Sequence, residues 1–551
     1  MSICVNYSKP SSGELAGEVY GLDVAVNNFL SAWFRHGAQE KFVCLPVDLP
    51  SYEHFRELAK AQGVDEGRCI GLDPRTPRHN LENMGLVFRP DPLTNNLIWR
   101  REQLRGKGFA ACGLVHTMSG ERIARAVGEL CLAPAGAGDA LICPSPAIRD
   151  AVQNLWVIYS EYLNEHFGGS YRNPIETPVI PLGTDCEKFA RMTTADKRAA
   201  QRLALGATAD EIVILFVGRL SFATKAHPLA LWMAAERAAK LTRKKLRLVM
   251  YGYFKPKDME QHFRTLAADI AKTVRIDFVQ NEDPRFPDGL WAGADLFASL
   301  SDNVQESFGL TPVEAMASGL PVVVSDWDGY RGGAREGQDG FLIPTLTPPP
   351  EAGLDIATHY YNEQNYGVAL VGASQSTAVD IARCTEAIRL LAEDDEKRRV
   401  MGASGRARAR DVFDWRHIIR AYEELWRELM HKRHATPHVP GVPKGWQAAH
   451  PAFPNPWKMF ASFPSQHLSA EDRIKVVMSN EQIDALLHHE MNYFVPDLLL
   501  PHELLDGIID IMRHAATVSL GDIVNSFPPE ERGRIWRSLG WMLKLGICEV
   551  V

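Results

Sequence analysis

Two carboxylates, Glu306 and Glu314, stand in the stretch QESFGLTPVEAMASGLPVVVSD, residues 305–326, with an uncharged apolar turn between them. A carboxylate offers two acceptor oxygens, which match the vicinal hydroxyls of a sugar or a ribose. The turn SFGLTP predicts a helix start, with Thr311 as N-cap and Pro312 at the first helical position. Gly319 is placed to end that helix. A helix N-terminus presents unpaired N–H groups and a partial positive charge, so it suits a phosphate. The two glutamates therefore flank an anion site, which fits hydroxyl binding on either side of it better than an acid/base couple.

Cations for the same anion come from an earlier segment. The apolar run EIVILFVG predicts a strand ending in Gly218 and Arg219, and the loop after it carries Lys225 just before Pro228. An Arg contacts a diphosphate bidentately and a Lys as a point charge. The DWD at 326–328 imitates a metal-binding pair of acids, but it follows the strand PVVVS directly in a loop ending at Gly329, and no metal role is expected of it. The basic run WRREQLRGKG at 99–108 predicts a solvated helix face, with an anionic lipid or charged acceptor as the alternative.

The elements that must position these groups alternate. Short apolar runs and helix-period segments follow one another from about 15 to 190, and the rhythm restarts from about 205, which predicts two doubly wound parallel sheets. Ligands of such sheets gather at the carboxyl ends of the strands. The expected domains are 1–190, 191–435 with an insertion at about 345–380, a Pro-rich linker at 436–460, and an accessory domain at 461–551. A length of 551 residues requires several domains in any case.

A formal charge of −8 argues against a general nucleic-acid binder. The nine cysteines show no CxxC pair and no zinc-ligand spacing, so they are expected to be small buried hydrophobes in a reducing compartment. The N-terminus shows no secretory signal pattern, and no apolar run approaches a bilayer span. A cytoplasmic location, with membrane contact at most peripheral, is the expectation.

Taken in order, GRL with Lys225, the glutamates around SFGLTP, GLPVVVSD and DGFLIPT resemble the retaining glycosyltransferases of the GT-B fold, in the large family of glycosyl transferases group 1. HT at His116, ICPSPAIRDAV at 142–152 and VIPLGTDCEKF at 179–189 extend the resemblance over about 15–430. It implies two Rossmann-like domains facing a cleft, and transfer of a sugar from a nucleotide-diphosphate donor to a saccharide, lipid or protein acceptor. It implies no metal or other cofactor. Glu306 would hold the donor sugar's hydroxyls and Glu314 the ribose. The N–H groups of Phe308, Gly309 and Leu310, with Thr311, would line the sugar and its phosphate. Arg219 and Lys225 would stabilise the departing diphosphate, with Gly218 beside them, and His116 would face the sugar near the reacting carbon. Gly21 stands in the N-terminal glycine loop, where Tyr20 replaces an expected glycine; Ala226 and Gly332 are further departures. The altered loop motivates a competing expectation, a non-catalytic scaffold that recruits a carbohydrate-assembly complex.

The last region, 468–551, has a helix–turn–helix–strand order that resembles a winged helix. Its segment 517–551 balances Arg532, Arg534, Arg537 and Lys544 against Asp522, Glu530, Glu531 and Glu549. A nucleic-acid reader would be basic there, so a homodimer contact or protein docking is the expectation for 461–551.

Overall fold

The computed structural model describes all residues except 1, 10–20, 74–80, 105–107, 170, 256–257, 364–365, 437–440, 444–445, 447, 488, 493–497, 516 and 530. It divides into two compact units, Met1–Ala449 and His450–Val551.

The larger unit holds two six-stranded parallel sheets. The first comprises β1 (Ser2–Tyr7), β2 (Phe42–Pro46), β3 (Cys69–Gly71), β4 (Met84–Arg89), β5 (Ala110–Leu114) and β6 (Ala140–Ile142), in the order β3-β2-β1-β4-β5-β6. The second comprises β7 (Glu211–Val217), β8 (Lys245–Gly252), β9 (Arg275–Gln280), β10 (Leu296–Ser299), β11 (Val322–Ser325) and β12 (Gly340–Ile343), ordered β12-β11-β10-β7-β8-β9. Both have the same topology, with the winding direction reversing between the first and fourth strands. Their central strands are buried on both faces, as β7 and β8 show, and this is why they read as unbroken apolar runs in the sequence. This is the GT-B arrangement of paired Rossmann-like domains. The carboxyl ends of adjacent strands β7 and β10, and of β1 and β4, are the switch points at which such sheets bind ligands.

One apolar cluster runs across both sheets, while each sheet also has a cluster of its own on its other face. Helix Trp415–Ala435 follows the second domain in sequence but packs on the first: Tyr422 lies 4.9 Å from the ring of Phe29, and Trp426 lies 5.1 Å from Phe88 and 6.0 Å from Trp33. At the crossing, Thr184 and the chain around Asp414 exchange backbone hydrogen bonds of 2.8 and 3.2 Å. A side chain at Gly183 would overlap the Trp415 ring, so only glycine permits the two crossing segments to approach.

The excursion between β12 and the helix Ile381–Glu393 is closed at its base by antiparallel pairing of Thr345–Leu346 with Ala378–Val379. Within it, the Tyr360 hydroxyl accepts the Glu121 N–H at 2.9 Å, which ties the excursion to the first domain.

The basic run at 99–108 is only in part a solvated face: Arg100 and Gln103 are exposed as expected, but Arg101 is not; Arg105, Gly106 and Lys107 lie outside the described residues. Arg101 and Trp99 are buried. The Arg101 guanidinium meets both Asp139 oxygens at 2.5 and 2.8 Å and donates to the Phe109 and Pro134 carbonyls. Asp139 in turn accepts the N–H groups of Ala111 and Gly136. Breaking a fully buried, hydrogen-bonded pair strands a charge, so Asp139→Ala is expected to cost about 3–5 kcal/mol, read as a lowered denaturant midpoint. All nine cysteines are unpaired, and all but the half-buried Cys69 are buried.

The smaller unit has its own core around Ile474, Ile508 and Leu539. Its three-stranded antiparallel sheet places Arg473–Val476 between Val518–Ser519 and Cys548–Val550. Helices Leu520–Asn525 and Arg532–Lys544 run between the outer strands. The central strand comes from the N-terminal side of the helices. Among the described residues no helix is long and apolar enough to cross a membrane.

Candidate functional site

The site is built where β7 and β10 end side by side. After β7 the chain turns through Gly218 and Arg219 into the loop that carries Lys225. After β10 it runs from Leu300 to Gly309 into the helix Leu310–Ala317. The Lys225 Nζ bonds the Glu306 Oε2, and the Tyr330 hydroxyl lies 3.4 Å from the same oxygen. Ser299, at the end of β10, fixes that hydroxyl at 3.0 Å. Arg219 reaches across the loops, donating at 3.3 Å to the Thr224 carbonyl and to Gln305 Oε1. Among the described residues Arg219 has no carboxylate partner.

The pair is electrostatically coupled. Burial would push Glu306 up, but the Lys225 ammonium overrides it and holds the carboxyl below the usual range. Burial would likewise depress Lys225, but Glu306, with a smaller contribution from Tyr330, keeps it above the ordinary lysine value. Both groups are therefore charged at neutral pH.

The helix start differs from the sequence expectation. Gly309 is the N-cap, with φ of 84°, and Leu310 opens the helix, so Thr311 and Pro312 lie inside its first turn. A side chain at Gly309 would collide with the Tyr330 ring at 2.0 Å, and one at Gly329 with the Phe308 backbone at 2.2 Å. That close approach, which overrides the capping preference of Thr311, presses the SFG turn onto the Asp328–Gly329–Tyr330 segment. Phe308 is buried against Phe413, with ring centroids 6.0 Å apart. The N–H groups of Phe308 and Gly309 make no hydrogen bond among the described residues. Gly319, with φ of 81°, follows the helix as expected.

Glu314 makes no hydrogen bond to the Lys225–Glu306 pair among the described residues. It lines a cavity of about 310 Å³ between the two domains, together with Asn28, Ser31 and Arg35 of helix Gly21–His36, Lys188 and Trp415. Burial pushes its carboxyl up to about 7, against the opposing pull of Lys188 and Lys225. Its carboxyl has no hydrogen-bond partner among the described residues. Gly21 is the first residue of the helix that supplies one wall of this cavity. Tyr20, Gly13 and Gly17 fall outside the described residues.

His116 follows β5 in the first domain. Its Nε2 lies 3.0 Å from the Pro90 carbonyl, and burial lowers the imidazole to about 4. A neutral ring that donates from Nε2 leaves Nδ1 as an acceptor. Among the described residues no hydrogen bond or ion pair joins His116 to the Lys225–Glu306 pair. The structure thus brings Arg219, Lys225, Glu306 and the SFG turn together, and places Glu314 in the interdomain cavity and His116 after β5 in the first domain.

Several residues that sequence reasoning passed over belong here. Asp328, dismissed with DWD, has φ of 42°, and its Oδ1 accepts the Ser145 hydroxyl from the first domain at 3.1 Å. Burial, and secondarily Glu306, push Asp328 up to about 7. Asp326 instead pairs with Arg331 at 2.7 Å, so the two DWD acids are engaged by different partners. At the first sheet's switch point Arg89 bonds Asp91 at 2.5 Å and Asn6 at 2.8 Å. No sequence spacing flags these contacts, because Ser145 and Asp328 are 183 residues apart.

The fold and this strand-end cluster define a GT-B protein with a cationic centre at the second domain's switch point. Residues 197–348 match the glycosyl transferases group 1 family, and that segment carries Arg219, Lys225, Glu306 and Glu314. The D-inositol 3-phosphate glycosyltransferase of Kineococcus radiotolerans is 30% identical over 277 residues, 48% of this chain and 54% of that protein. The enzyme of the same name from Geodermatophilus obscurus is 33% identical over 194 residues, 34% of this chain and 40% of that protein. The chain therefore spans about half, or less, of the length of these curated relatives. Among solved structures, Anabaena Alr3699/HepE in complex with UDP superposes with a TM-score of 0.49 at 18% identity, covering 78% of this chain and 100% of that one.

Proposed function

We propose that the protein is a retaining, metal-independent glycosyltransferase that moves a sugar from a nucleotide-diphosphate donor to a saccharide, lipid or protein acceptor in the cytoplasm. The observation that carries this reading is the Arg219, Lys225 and Glu306 cluster beside the open N–H groups of Phe308 and Gly309, at the junction of β7 and β10. Breaking a sugar–phosphate bond builds positive charge on the ring and negative charge on the leaving oxygen. Preorganised cations and amides aimed at the leaving diphosphate lower that barrier without reorganising at the moment of reaction.

In the bound state Glu306 accepts hydroxyls of the donor sugar, and Lys225, released in part from Glu306, joins Arg219 on the diphosphate. Glu314 accepts the ribose hydroxyls from its place in the interdomain cavity, with Leu310 and Thr311 at the adjoining helix start and Gly21 opening the facing helix. His116 approaches the donor sugar from the first domain. The unit His450–Val551 serves docking or self-association.

The test is a thermal-shift screen of the full chain against UDP-, GDP-, ADP- and dTDP-sugars, followed by a donor-hydrolysis assay. A donor at a hundred times its Kd stabilises the folded state by about 2.7 kcal/mol, which a midpoint shift reports. One donor class should stand out and be hydrolysed. Absence of any shift and of any hydrolysis across the four classes would overturn the assignment.

A further inference from the structure

Asp328 is the only non-glycine residue with positive φ among the described residues, at 42°. Aspartate enters that left-handed region more readily than most side chains, yet a strained backbone persists only where its surroundings hold it. On one side the hold comes from Ser145 of the first domain, which is 2% exposed. Its hydroxyl oxygen accepts the Ile148 N–H at 3.1 Å and so caps the helix Pro146–Phe167. The cap fixes that oxygen, and its one proton crosses the junction to the Asp328 Oδ1 at 3.1 Å.

On the other side the neighbours of Asp328 grip the Lys225–Glu306 pair. The Trp327 indole donates to the Asn303 carbonyl at 3.1 Å, and the same carbonyl accepts the Glu306 N–H at 3.2 Å. The buried Asn303 side chain accepts the Gln305 N–H at 2.9 Å and donates to the Ala223 carbonyl at 2.8 Å, in the loop that carries Lys225. The Tyr330 hydroxyl lies 3.4 Å from the Glu306 Oε2. Between these residues a side chain at Gly329 would meet the Phe308 backbone at 2.2 Å, so the segment has no slack in which to absorb a shift of Asp328. A contiguous chain of hydrogen bonds thus runs from the first domain to both members of the pair, and such chains carry coupling between sites.

We propose that Asp328 is a positioning residue: its bond to Ser145 makes docking of the first domain set the Lys225–Glu306 geometry, by way of Trp327 and Asn303. The consequence for catalysis rests on the glycosyltransferase reading, whereas the coupling itself does not.

The experiment is hydrogen–deuterium exchange of the full chain, compared among wild type, Asp328→Gly, Asp328→Asn, Ser145→Ala and the double variant Ser145→Ala with Asp328→Gly. Glycine adopts a positive φ freely, so Asp328→Gly removes the carboxylate without new strain. The amides of Lys225, Gln305 and Glu306, bonded to Ser221 and Asn303, are expected to exchange about tenfold faster in Asp328→Gly and in Ser145→Ala, the order of coupling within one hydrogen-bonded network. Asp328→Asn keeps an acceptor oxygen for Ser145 and should restore the protection. Ser145→Ala also loses the helix cap, so the double variant separates the two effects. At those amides it should exchange no faster than the single variants, because both remove the same bond. With a donor identified, its kcat should fall in the same non-additive pattern while KM stays close to wild type. Unchanged exchange at these amides in Asp328→Gly would overturn the proposal, as would additive effects in the double variant or an unchanged kcat in Asp328→Gly. A wild type that hydrolyses no nucleotide sugar would overturn the glycosyltransferase reading instead, and the exchange result would still decide the coupling.

Discussion

Lys225→Met is expected to lower the turnover of the identified donor by about two to three orders of magnitude, the scale on which one preorganised charge at a developing anion acts. The same substitution should also destabilise the protein by about 3 kcal/mol, because it leaves the Glu306 carboxylate without the cation that holds it charged in a largely buried site. The two losses have different origins and can be separated. Adding Glu306→Gln removes the stranded charge, so the double variant should recover most of the denaturant midpoint. Its activity should stay at the level of the single variant or below if, as proposed, Lys225 serves the diphosphate and Glu306 the sugar. If the double variant recovered its rate along with its stability, Lys225 would be a structural partner of Glu306 and nothing more.

Glu314→Gln should act in opposite directions on the empty and the loaded protein. In the folded chain burial holds this carboxyl at about 7, well above the ordinary glutamate value, so the native state binds a proton that the unfolded chain has released. The contribution of Glu314 to wild-type stability is therefore most favourable below the ordinary glutamate value and is lost as pH rises towards 7. Discounted for its partial exposure, the penalty approaches about 2 kcal/mol at pH 8. The amide cannot ionise, so the empty variant should unfold at a higher denaturant concentration than wild type at pH 8 and at the same concentration near pH 4. Burial also raises Asp302 and Asp328 to about 7, and the difference between variant and wild type cancels their shared contribution. Nucleotide-sugar affinity should move the other way and fall about tenfold to a hundredfold, the value of a lost hydrogen-bond pair to a charged acceptor. An equally tight complex would remove Glu314 from the ribose position.

The strand-end chemistry was legible because Rossmann-type sheets place it by local rules. Apolar runs of four to eight residues with glycine at their ends announce buried parallel strands, and residues just past them fall at one edge of the sheet. Arg219, Lys225 and Glu306 were found in this way, and the structure joins them in one cluster. Thr311 was misplaced as a helix cap because capping preference is a weak local signal. The contact of Gly309 with the Tyr330 ring, 21 residues away, decides where the helix starts. Within the run at 99–108 the expectation of a solvated face holds for Arg100 but fails at Arg101, for a similar reason. Its charge density is that of a surface helix, and nothing near it in sequence reveals that Asp139 waits to bury Arg101.

The sequence by itself determined the two sheets, the order of their strands' chemistry and the identity of the cationic and acidic groups, because hydrophobic period and turn residues act over a few positions. Only the tertiary structure decided that Trp415–Ala435 closes the first domain, that Glu314 opens onto an interdomain cavity that Glu306 does not line, and that Asp328 meets Ser145. Those outcomes rest on steric fit and on burial of charges between segments hundreds of residues apart. Both are properties of the assembled core, and no short window of sequence contains them.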